Sequence, residues 1–450
     1  MKEDKMELNT LIADGAAEND LQQMKGDRIG NTMYSERSVL KTLIKLSQIT
    51  EFTSEFEEEL CLLWDMTVEE DVVNFLMNNN FLDLATHIIM TIEDNRLIEI
   101  MVGIVGNMCC VKCVRSHLAG KRATVETFMK LLGIRDAPVL IQLIRVFELI
   151  LIDIIDQPPQ LSSRNNMEAN NDEGKDVCKG DGQVTQPPTE TTDSESSDSS
   201  LSQEDCQNVS SNWWEIYLSN TEIWFHNIPE ILSNCKNDEL LSKLWHLVDN
   251  LSDVACDSSI YLDEYFLNRE LLRSLVVSFN EYFKECHPLQ DIDETYQLRR
   301  SASDWIMAVN CFHNYEEGTD IVRTCIGDLL PCIQHILSRF SMNFKTRAES
   351  NKLFISVICF LDKSLPVRNL PHLCEDEMKN LISRLEAFLE EDHKANSDEW
   401  EDISDDGEAI NKEKTTECLQ HLLNKARNLL STASHQSAQS LLNGENTPSH

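Results

Sequence analysis

The chain is short of the features that mark membranes, nucleic-acid binding or catalysis. Nowhere do about 18 apolar residues run uninterrupted, the length a membrane-spanning helix needs. The best stretch, Leu143 to Ile155, is broken by Arg145, Glu148 and Asp153. The charged start, Met1-Lys-Glu-Asp-Lys, lacks the apolar centre of a secretory signal. A soluble, intracellular protein with no membrane association is therefore expected. Basic clusters are also missing: no run of Lys and Arg exceeds Lys121-Arg122, and 77 acidic residues against 39 basic ones give a net charge of −38. Such a chain repels phosphate backbones, so direct nucleic-acid binding is not expected. The electrostatic complement is a protein partner with a basic segment.

Catalytic signatures are absent as well. Gly120-Lys121 lacks the upstream glycine of a P-loop, and Gly180-Asp-Gly182 lies in a polar stretch with no strand-to-helix context. There is neither a Gly-x-Ser-x-Gly elbow nor a His-Glu-x-x-His pair. No enzyme activity, cofactor or catalytic residue is expected. The 15 cysteines read as reduced thiols in an intracellular chain. Cys109 and Cys113 fall four apart on what reads as one helix, Cys332 and His335 three apart, and Cys311 and His313 two apart. Zinc takes four ligands, often as close pairs on turns. These pairs sit mid-helix among apolar neighbours, where cysteine acts as a small hydrophobe, and no metal site is assigned.

What the chain does have is repetition. Asn95 to Met108 lines up with Asp238 to Leu251, and Asp136 to Leu149 fits between them, 41 residues after the first. Each is a long, nearly all-apolar helix preceded by a shorter amphipathic one. A helical period of about 40 residues marks an armadillo or HEAT-like α-solenoid. In such a fold the inner helix is apolar on most sides because it is sandwiched between successive repeats.

The expected organisation is an all-α solenoid with a disordered insertion and tails. Residues 1–28 form a polar tail and 29–155 the first helical repeats. Residues 156–212 have no Phe, Tyr, Trp or Ile, two Pro-Pro pairs and the run Asp193-Ser-Glu-Ser-Ser-Asp-Ser-Ser200, and cannot bury enough apolar surface to fold. Residues 213–393 resume the repeats. Residues 394–450 hold an acidic segment, a terminal helix over Thr415–Leu430 that either docks back or stays free, and a polar end. Locally, Val39, Leu40, Leu43, Ile44 and Leu46 recur at helical spacing. Phe56, Leu60, Leu63 and Trp64 face inward on the next helix. Thr67 with Glu70 reads as a capping box for a third. Asn95 to Cys113 reads as one inner helix. Asp136 caps the helix that carries Pro138 in its first turn. Later helices are expected at 264–284, 292–315, 319–340, 347–365 and 374–391.

Three segments, Ile29-Gly-Asn-Thr-Met-Tyr-Ser35, Leu62-Leu-Trp-Asp-Met-Thr-Val-Glu-Glu-Asp-Val72 and Val102-Gly-Ile-Val-Gly-Asn-Met108, resemble the serum amyloid A-like protein 1 family. The match is most specific over 29–110 and weaker through Leu244–Val254. The resemblance implies an armadillo-like, intracellular, partly nuclear protein with a link to cell proliferation, and it implies no enzyme activity. The 156–212 and 396–408 segments are departures from it.

Repeat alignment places Asn107, Glu148 and Asn250 at one position, with Asn310 continuing the series. In armadillo proteins an asparagine at the matching place faces the concave groove and bonds the backbone of an extended peptide, since an amide donates and accepts at once. The competing role is a helix-end cap. Trp400, alone in the acidic run 397–408, reads either as a short binding motif or as an incidental tryptophan. The functional expectation is a non-enzymatic protein that docks a partner segment on its inner helices. The alternatives are a scaffold acting through its acidic segments and, third, an enzyme on a helical fold.

Overall fold

The computed structural model describes residues 27–155, 212–218, 221–257, 266–284, 292–339, 349–365, 376, 379–386, 417 and 419–431. The 1–26 tail, most of the 156–212 insertion, the 387–416 stretch with Trp400, and the end beyond 431 lie outside them. Among the described residues the fold is all-α, with a single isolated β-bridge between Arg28 and Ser35. Before residue 156 the helices are α1 Glu36–Ser47, α2 Ser54–Met66, α3 Glu70–Asn78, α4 Phe81–Thr91, α5 Asn95–Met108, α6 Lys112–Ala119, α7 Arg122–Leu131 and α8 Ala137–Ile155. After it come α9 Trp213–Leu218, α10 Thr221–Asn234, α11 Asp238–Asp257, α12 Arg269–Lys284, α13 Ile292–Asn310, α14 Glu316–Thr324, α15 Ile326–Arg339 and α16 Glu349–Ser364.

The long helices pack in series: α2 on α5, α5 on α8, α8 on α11, α11 on α13 and α13 on α16. A second row runs beside them, α1 on α4, α4 on α7, α7 on α9, then α10 on α12 and α12 on α15. One contiguous apolar core lies between the rows. The reason is visible in α5, where Leu97, Ile98, Ile100, Met101, Val102, Ile104, Val105 and Met108 are all buried. Each large apolar side chain so buried stabilises by about 1.5–3 kcal/mol. That outweighs the ~0.5–1 kcal/mol which each of Gly103 and Gly106 costs a helix interior. Gly103 is required by close approach: a Cβ there would lie 2.1 Å from the Trp64 ring of α2.

Local start signals explain where the long helices begin. Asp94 accepts from the Leu97 amide at 2.9 Å, Asp136 from the Val139 amide at 3.1 Å, and Asn237 from the Leu240 amide at 2.8 Å. Each side-chain oxygen satisfies one of the amides that a helix N-terminus leaves without an intrahelical acceptor. Past the insertion, Trp214 and Trp224 each set an edge against Phe147 of α8 at 5.6 Å between ring centroids. Trp213 lies under the Arg122 guanidinium at 5.1 Å. The chain thus rejoins the stack it left at Ile155.

The three segments that carry the family resemblance converge at one corner. The Asn31 amide donates to Asp71 at 2.8 Å, and Gly30 takes φ +51°, a conformation that tolerates no other residue easily and brings the backbone against the Asp71 side chain. Ser35 caps α1 and itself donates to Asp27 at 2.6 Å. Trp64 covers Gly103, and Asn107 reaches back to the end of α2.

Several local expectations are corrected. Thr67 does not cap a following helix; its hydroxyl donates to the Trp64 carbonyl at 2.5 Å and closes α2, and α3 starts after Glu69 with no side-chain cap. Asn95 to Cys113 is not one helix. The chain bends by 118° between α5 and α6, because Arg115 donates to the carbonyls of Cys109 and Cys110 at 2.7 and 3.2 Å and so gives the α5 end a partner from outside the helix. Arg115 also holds Asp153 of α8 through two bonds, at 2.5 and 2.7 Å. Cys109 and Cys113 accordingly lie on either side of a bend, not on one helix face. In α1, Val39, Leu43 and Leu46 are buried, but Leu40 and Ile44 face solvent. The single helix expected at 319–340 is two, α14 and α15, and the one at 292–315 ends in a 3-10 turn at Cys311–Asn314. Residues 419–431 do dock back: Leu419, Leu422, Leu423, Ala426 and Leu429 are buried, and Lys425 donates to the Asp362 carbonyl of α16. No single helix among the described residues is long and apolar enough to cross a membrane.

Candidate functional site

The sequence points to the row of long helices, and the N-caps give that row its true register. Counted from Asp94 and Asn237, Asn107 of α5 and Asn250 of α11 occupy the same position. Counted from Asp136, their counterpart in α8 is Leu149, not Glu148. The burial pattern agrees: Met101, Leu143 and Leu244 match as buried positions, as do Val105, Phe147 and Val248. Glu148 instead shares its place with Gly106 and Asp249. The sequence alignment began α5 and α11 one residue after their caps, at Asn95 and Asp238, but began α8 at its cap, Asp136, which shifted α8 alone by one position.

The three asparagines are held differently. Asn107 is half-buried, and its amide nitrogen donates to the Trp64 carbonyl at 3.1 Å and to Thr67 Oγ1 at 3.0 Å. It therefore closes the end of a neighbouring helix rather than its own. Asn310, the last residue of α13, donates to the Ser356 carbonyl of α16 at 3.1 Å, and its Oδ1 is buried without a partner among the described residues. Asn250, on α11, is half-buried like Asn107 but makes no side-chain hydrogen bond among the described residues.

Glu148 lies among charged groups from three successive helices: Lys243 and His246 of α11, Arg300 and Asp304 of α13. Burial pushes its carboxyl pKa up; His246, Lys243 and Arg300 pull it back only in part, and Asp304 adds to the rise. The ionised carboxylate is thus under-solvated where it stands. Arg145, one turn before Glu148, reaches Cys110 Sγ at 3.8 Å. This face has mixed charge, and the acidic excess lies elsewhere in the chain.

Lys243, His246, Arg300 and Asp304 were not singled out by sequence reasoning. A partial signal existed: Arg145/Glu148, Lys243/His246 and Arg300/Asp304 are polar pairs three or four apart, standing out in the apolar α8 but not in α13, which carries many other polar residues. Cys109, Cys332, His313 and His335 serve packing. Cys109 and Cys332 are buried, with pKa values pushed up to about 12 chiefly by loss of solvent. His335 packs against Phe279 and Phe283. His313 is wedged between Thr319 Oγ1 at 3.1 Å and Ser364 Oγ at 2.9 Å. No group of three or more His, Cys, Asp or Glu suited to a metal occurs among the described residues.

No family model matches the chain. It is 34% identical over 134 residues to Protein saal1 of Danio rerio, 32% over 137 residues to Protein SAAL1 of Homo sapiens and 30% over 138 residues to Protein saal1 of Xenopus tropicalis. Each match covers 27% of this chain. The chain spans less than a third of the length of these curated relatives, 29 to 30%.

Proposed function

We propose that this chain is a member of the serum amyloid A-like protein 1 family, on its similarity to the SAAL1 relatives, and a non-enzymatic interaction protein: an armadillo-like solenoid that docks a partner segment along its long-helix row. The serial packing of α2, α5, α8, α11, α13 and α16 supports the solenoid reading. The observation that carries the docking reading is the α8–α11–α13 face, where Glu148 is held short of solvent among Lys243, His246, Arg300 and Asp304. A charged group in that condition gains more from a pairing ligand than an exposed one does. The chain's net charge of −38 favours a basic partner and speeds its encounter at low salt.

The test compares affinity-captured partners of three baits: the full chain, a Glu148→Gln/Asn250→Ala variant, and a version lacking 156–212 and 396–408. Partners lost only with the double variant would support docking on this face. Partners lost only with the deletions would move the function to the acidic segments, with the helices as their platform.

A further inference from the structure

Arginines on the helices around α8 are matched to carboxylates, and Arg145 of α8 itself is not. Arg96 of α5 holds Glu57 and Glu99 at 2.7 and 2.8 Å, and Arg115 of α6 holds Asp153 of α8 through two bonds. Arg145 is half-buried and meets no carboxylate among the described residues. Its guanidinium reaches Cys110 Sγ at 3.8 Å, and a thiol sulfur is a weak acceptor. Its stem rests on α5, where a Cβ at Gly106 would lie 4.0 Å from Arg145 Cδ. The acids nearest along α8 do not answer it. Asp153 is taken by Arg115, and Glu148 stands among Lys243 and His246 of α11. In a chain with 77 acidic residues against 39 basic ones, a half-buried cation without an anion stands out.

Arg145 and Glu148 are three apart and so share one face of α8. Arg145 reaches toward α5, while Glu148 stands with the charged groups of α11 and α13. A segment crossing α8 along the long-helix row therefore meets a cation and then an anion. We propose that Arg145 receives a carboxylate side chain of the docked partner, beside the cation that Glu148 takes. This rests on the docking reading above and adds a second sign to it. A guanidinium and a carboxylate match through two parallel N–H···O bonds, which fixes orientation as well as charge. In an extended segment alternate side chains point to one side and lie about 6.6 Å apart. The partner then carries one acidic and one basic residue separated by a single position, and not an uninterrupted basic run. A phosphate fits less well, because its second negative charge would face Glu148.

The test uses the full chain and short synthetic peptides of Ser and Val, capped at both ends. One set carries a Glu and a Lys two positions apart, in either order. The other carries two Lys at the same places. Binding would be followed by fluorescence polarisation, with circular dichroism confirming that each variant folds. The mixed peptide, in one of its two orders, should bind about threefold or more tightly than the two-lysine peptide. Arg145→Gln should erase that preference and leave two-lysine binding unchanged. Arg145→Lys should keep part of it, and Glu148→Gln should weaken both sets. Bound mixed peptide should also slow alkylation of Cys110, beside Arg145, and leave exposed Cys113 reacting as before. Equal or tighter binding of the two-lysine peptide, or a preference that survives Arg145→Gln, would overturn the Arg145 assignment while the docking reading stands. Binding by neither set would overturn both.

Discussion

Between α2, α5, α6 and α8, side-chain hydrogen bonds cross from helix to helix alongside the apolar packing. Asn107 donates to Trp64 and Thr67, Asn95 to Asp136, and Arg115 clamps Asp153. In the second row Thr86 and Thr124 bond at 2.9 Å while fully enclosed. Between α11, α12 and α13 the ties are mainly aromatic. Phe279 lies 4.4 Å from both Phe283 and Trp305, and Trp245 lies 5.1 Å from Tyr282. Their indole nitrogens are still satisfied, Trp305 by the Leu275 carbonyl and Trp245 by Ser278. One stacking principle is thus realised by two chemistries. A polar tie fixes register, because it holds only at one alignment of donor and acceptor. An aromatic cluster contributes more energy, because it removes more apolar area from water.

The largest expected effect follows from that difference. Trp305 is fully buried against Phe279, and Trp305→Ala should destabilise by about 3–5 kcal/mol through lost burial and the cavity left behind. Denaturant unfolding monitored by circular dichroism would measure it. A loss below about 1 kcal/mol would mean that the aromatic cluster does not carry the second half.

A paired substitution sharpens the comparison at one repeat position. Asn107→Ala removes both donors to the end of α2 and should cost about 1–2 kcal/mol, the range for stranding a partly buried acceptor. Asn250→Ala, at the equivalent place on α11, should stay within about 0.5 kcal/mol, because its side chain makes no hydrogen bond among the described residues for the change to break. Equal losses in the two variants would show that Asn250 is held as tightly as Asn107.

These asparagines also show what could be read from residues alone. The helical content, the long apolar helices and their order along the chain follow from period and burial demand, and α5, α8 and α11 fall where the repeats place them. The cap at Asp136 was legible because Pro138 marks the first turn. The partners of Asn107 were not, since Trp64 and Thr67 lie some 40 residues away and nothing in the local pattern points to them. The α5–α6 bend was hidden for a similar reason. Its cause is the Arg115 side chain turning back onto two carbonyls, while Cys109-Cys110-Val111 looks like continuing helix. Glu148 was found but misaligned, and its charged neighbours come from helices beyond the 156–212 insertion, where sequence spacing gives no distance.

His313 gives a smaller, pH-dependent effect in the second half. Burial chiefly, with Lys363 and Arg323 nearby, lowers its pKa to about 4 from an ordinary 6.5. The unfolded chain therefore takes up a proton that the folded chain refuses. The stability that neutral His313 contributes is complete above pH 6.5, falls as the pH drops through that window, and is gone below about 4. Acid also relieves the repulsion of a chain at −38, which acts in the opposite direction. Comparison with His313→Gln isolates the histidine. The wild type should lose stability relative to the variant between pH 6.5 and 4, and parallel curves would remove His313 from the account.

The smallest expected effect on stability bears most directly on the proposed docking face. Glu148 has a raised pKa, so the folded chain holds its proton more tightly than the unfolded chain does. An acid shifted this way contributes nothing adverse below its unfolded pKa and becomes destabilising as the pH rises through the folded value. Glu148→Gln removes the under-solvated charge and keeps an amide of nearly the same shape. At neutral pH the variant should be at least as stable as the wild type, the advantage fading as acid protonates Glu148 in both the folded and the unfolded chain. A basic partner that pairs with Glu148 would reverse that order in the complex, because the cation supplies what solvent does not. The informative result is therefore a sign change: Gln at least equal in the free protein, Glu favoured once the partner is bound. Destabilisation of the free protein by Glu148→Gln would instead mean that Lys243, His246 and Arg300 already satisfy the carboxylate, and the face would have no unmet charge to offer.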